Sequence, residues 1–154
     1  MEAFKLLAII TNSKEGIALA DGIDLLLILS SIIEKENLSD EILTQIIITL
    51  KHCMLSEKAI NQLRLPWSEL SKLLVQKAYT KEKNLLQRAS IQALRIMSDK
   101  PEVKEELNQL YKTKIREIPC LDKEAEALKD DLVQWLTYRN YKPNDSSKYS
   151  KLFI

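Results

Sequence analysis

The sequence predicts an all-α protein built from stacked helical units, and three observations predict it. Glycine and proline are scarce, at 2 and 4 of 154 residues, whereas a β-sandwich or barrel turns about every 8–12 residues and consumes Gly, Pro and Asn to do so. Hydrophobic residues make up 45% of the chain and are mostly Leu and Ile, in runs spaced for the faces of helices. The chain also repeats itself, with Leu7 falling on Leu50 at an offset of 43 and Leu50 on Leu94 at an offset of 44. A 29% share of charged residues and a domain-sized length argue for an ordered chain with its own core.

The helical period and its breakers predict the elements in order. Residues 2–11 form a first helix, 14–20 a short one and 23–35 a longer one. Asn37-Leu38-Ser39-Asp40 caps a helix over 40–54 whose buried stripe is Ile42, Leu43, Ile46, Ile47 and Leu50. Helices over 57–63 and 67–78 follow, broken at Leu65-Pro66. The next runs over 83–98 through Ala89, Ile91, Leu94 and Ile96. Ser98-Asp99-Lys100-Pro101 ends it and opens 101–113, with proline in the first turn, where its missing N–H is harmless. A loop holding Ile118-Pro119-Cys120 leads to a helix over 122–139 with Leu128, Leu132, Trp135 and Leu136 on its apolar face. Residues 141–154 read as an irregular tail ending in Leu152, Phe153 and Ile154.

Three copies of an apolar helix ending in a polar turn are visible, at Leu7–Ile17, Leu50–Ile60 and from Leu94. Ser13 falls on Ser56, Gly16 on Ala59 and Ile17 on Ile60; Leu26 and Leu29 fall on Leu70 and Leu73. A period of 43–44 lies within the roughly 40–47 residues of armadillo and HEAT units. With Gly22-Ile23 breaking the chain ahead of Leu25, Leu26 and Leu29, and Pro66 in that place one unit on, residues 3–110 resemble the armadillo family. The resemblance implies a short right-handed α-solenoid: a partial repeat over 1–36, repeats over 37–80 and 81–118, and a capping helix over 122–139, one domain over 1–140. A helical bundle without repeats, serving as a regulatory or chaperone-cofactor domain, is the rival architecture.

No catalytic constellation can be assembled. The single histidine, His52, excludes a two-histidine zinc site within the chain. Adjacent Cys53 cannot use it as a base, because successive helical side chains point about 100° apart. Two glycines cannot build a phosphate cradle such as GxGxxG. Carboxylate pairs such as Glu105-Glu106 and Asp130-Asp131 stand among lysines and read as solvated charge. No metal, cofactor or enzymatic activity is expected. A net charge of +1 gives no field for nucleic acid or an anionic membrane, so neither is an expected partner. No stretch approaches the roughly 20 apolar residues that span a bilayer. The N-terminus has no basic run ahead of its apolar stretch, and Cys53 and Cys120 read as reduced thiols. The expectation is a cytoplasmic or nuclear protein.

The armadillo resemblance implies a concave groove lined by the third helix of each unit. In members that grip extended peptides, that helix carries an asparagine; by position it falls on Ile9, His52 and Ile96, so an asparagine ladder is absent. The expected groove centres on those three residues, flanked by Lys51 and Arg95. The first helix opens with Phe4, Leu6, Leu7, Ile9 and Ile10 and nothing before them to cover one side, whereas Glu124, Glu126, Lys129, Asp130 and Asp131 suit a terminal cap. The expected partner is therefore another protein, met in the groove or at the N-terminal edge, self-association through that edge included. The uncovered edge also suits the C-terminal part of a longer armadillo protein.

Overall fold

The computed structural model describes residues 2–35, 37–62 and 67–138, with the side chains of 34, 35, 61 and 62 excepted. Every regular element among them is helical: α1 (Glu2–Ile10), α2 (Lys14–Gly22), α3 (Leu25–Lys35), α4 (Asp40–Cys53), α5 (Glu57–Gln62), α6 (Trp67–Ala78), α7 (Asn84–Met97), α8 (Pro101–Glu106), a π-helical turn (Leu107–Tyr111), α9 (Lys112–Arg116) and α10 (Lys123–Thr137). The break expected at Pro66 and the tail over 141–154 lie outside the described residues.

Local chemistry accounts for the boundaries. Ser13, Ser39 and Asp122 cap α2, α4 and α10, their side chains accepting from the N–H groups of Gly16, Ile42 and Ala125, which satisfies donors the first helical turn leaves open. Ser56 does the same for Ala59 ahead of α5. Two expectations need correction. The turn between α2 and α3, which bend by 76°, does not rest on Gly22. The left-handed residue is Asp24, at φ 52°, a side chain that tolerates this region by bonding locally. The helix expected over 101–113 runs on to Arg116 through the π turn. From Val103 to Leu107 to Ile115, all buried, an α-helix would drift by roughly 120° at 3.6 residues per turn. The wider π turn advances less per residue and returns Ile115 to the core side.

Three of the helices end in similar turns. After α1, α4 and α7 the chain leaves with the same hydrogen bonds: Thr11 N–H to Leu7 O, Met54 N–H to Leu50 O and Ser98 N–H to Leu94 O, at 3.0, 2.9 and 3.1 Å. The next N–H follows suit, Asn12 to Ile9, Leu55 to His52 and Asp99 to Ile96. Leu50 and Leu94 are fully buried, and Leu7 packs half-buried against the same core. Every third helix joins one row: α1 packs on α4, α4 on α7 and α7 on α10. A second layer backs it, α3 on α4 and α6 on α7. Helix α7 lies at the centre, and ten of its residues are buried. Buried Gln87 ties the layers together: its amide donates to Ala78 O (2.8 Å) and Pro119 O (3.0 Å), and its carbonyl accepts from Leu121 N–H (2.8 Å).

Candidate interaction surface

The residues expected to line a groove are not brought together on an open face. His52 and Ile96 are only 3% and 2% exposed. His52 Nδ1 lies 3.1 Å from Thr11 Oγ1 in the turn after α1, so the neighbouring unit covers it. Lys51 is buried too, donating to Gln92 Oε1 on α7. Burial, with the Arg88 charge nearby, pushes its ammonium down to about 8. Arg95 is spent inside the fold: its guanidinium pairs with Asp99 and Asp131, both at 3.1 Å, and its Cζ stacks 4.2 Å from the Trp135 ring centroid. Lys104 Nζ also approaches that ring, at 3.8 Å, and Trp135 Nε1 donates to Ser98 O. Phe4 packs half-buried against the core. Only Ile9 of the six stands free, at 71% exposure.

A partly open stripe of the row carries Glu41, Gln45 and Ile48 on α4 and Leu85, Arg88 and Gln92 on α7, of which Glu41 and Leu85 are exposed and the other four half-buried. Arg88 reaches Glu124 on α10, and Lys83 reaches Glu41 on α4, so the stripe is laced by ion pairs between neighbouring helices. Lys51, His52 and Arg95 turn instead to Gln92 on α7, Thr11 after α1 and Asp131 on α10. A cleft of about 650 Å³ lies between the turns that follow α4 and α7, lined by Met54, Leu55 and Ile60 on one side and by Asp99, Lys100 and Pro101 on the other.

The strongest surface feature is at the other end. Leu6, Ile10, Leu19, Ile23, Leu27 and Ile28 join Ile9 as large aliphatic side chains left 41–71% exposed. All seven lie on α1, α2 and α3 or the turn between the last two, and Leu85 on α7 and Leu110 in the π turn are the other large aliphatic side chains exposed among the described residues. Leu6, Ile9 and Ile10 sit at i, i+3 and i+4, one face of α1. One period later those positions are Thr49, His52 and Cys53, and one further Ala93, Ile96 and Met97, every one of them buried. The cover comes from earlier in the chain: Thr11 closes on His52, and Ala20, Leu25 and Leu26 share the buried core with Cys53. Helix α1 thus carries, in its own apolar residues, the face that α4 and α7 keep covered.

Burial pushes the thiols of Cys53 and Cys120 up to about 12 and about 11, which keeps them protonated and unreactive near neutral pH. Among the described residues, no three of His, Cys, Asp and Glu gather as metal ligands, and no single helix is long and apolar enough to cross a membrane. Comparison with protein-family models, with curated proteins and with solved structures finds no match for this chain.

Proposed function

We propose that the chain is a non-catalytic, armadillo-like repeat module that binds another protein through the uncovered face of α1 to α3. The observation that carries this reading is the contrast within one repeat position. Ile9 stands in solvent where His52 and Ile96, its counterparts, are buried. Exposed aliphatic side chains gathered on one helix face, as Leu6, Ile9 and Ile10 are on α1, are the kind of surface at which soluble proteins dock. The architecture supports the armadillo-like part: three helices per period, every third one in a row, and the same turn closing each. The free thiols Cys53 and Cys120 suit a reducing compartment such as the cytoplasm.

The docking face is tested by capture. The immobilised chain is compared with Ile9→Glu and with Gln134→Glu, a control on the exposed side of α10 at the opposite end. A protein retained by the parent and the control but lost with Ile9→Glu supports the reading. Identical capture by all three would exclude the α1 face as the contact.

A further inference from the structure

We draw no further inference here: the strongest candidate, the cleft between the turns that follow α4 and α7, with the exposed carboxylates Glu57 and Glu102 in its lining, carries nothing, because nothing in the structure shows what covers its apolar wall.

Discussion

Gln87 shows how much of this fold hangs on single polar groups. Its three bonds satisfy backbone atoms at the end of α6 and around the loop at 119–121. Replacing it with Met keeps the volume and strands all three partners. We expect a loss of about 2–4 kcal/mol, at about 1–3 kcal/mol for each buried group left unsatisfied after partial relaxation, measured as a shift in the urea midpoint. Lys51 should behave in the opposite way. Its folded state holds the proton less tightly than the unfolded chain, whose ordinary value is 10.5 against about 8 in the fold. Below about 8 the buried charge therefore costs stability, and between those values the cost disappears as pH rises, because only the unfolded chain still binds the proton. Lys51→Met should be more stable than the parent at pH 7 by about 1–3 kcal/mol, a tenfold weakening of proton affinity being worth about 1.4 kcal/mol. The advantage should shrink towards pH 10. The thiols of Cys53 and Cys120 act in the other direction above 9.0, their ordinary value, but both proteins share that loss, so the difference isolates Lys51. A difference that stays flat with pH would rule out the buried ammonium as its cause. Neither role was legible in the sequence. Gln87 and Lys51 look like solvated polar residues until the helices on every side of them are known.

Elements were far more legible than side-chain partners. The 3.6 period, the cap at Ser39 and the break at Lys100-Pro101 placed helix boundaries to within about three residues, because caps and apolar stripes are local chemistry. What local chemistry could not place is phase. The turn after α2 looked like a glycine turn and is carried by Asp24, two residues on. The helix from Pro101 looked regular and carries a π turn, which only the shared burial of Val103, Leu107 and Ile115 explains. That explanation makes an unusual prediction. A π turn holds one residue more than the α-helix would, so deleting the exposed Gln109 should regularise the segment and keep all three side chains inward. We expect the deletion to cost about 1 kcal/mol or less, within the range of ordinary surface changes, with helicity undiminished by circular dichroism. Deleting Gln92 from the middle of α7 shifts every inward residue that follows, and should abolish cooperative unfolding. Equal damage from the two deletions would contradict the account of the π turn.

At the scale of the molecule, the recurring apolar stripes were legible as helix faces: Leu50 and Leu94 are fully buried, and Leu7 is half-buried against the same core. The groove was not legible, because whether Ile9, His52 and Ile96 face outward depends on the crossing of whole helices. The row of helix contacts has a consequence for motion. Helix α1 leans on α4 while α7 is gripped by α4, α6 and α10, so opening is graded along the chain. Hydrogen exchange should run fastest in the amides of α1 and slowest in those of α7, by several orders of magnitude at neutral pH. If a partner seats on α1, its amides should slow as that partner is added while those of α7 keep their rate. The first helix would then be a reporter of company: loose when the chain is alone, and quiet once it has been joined.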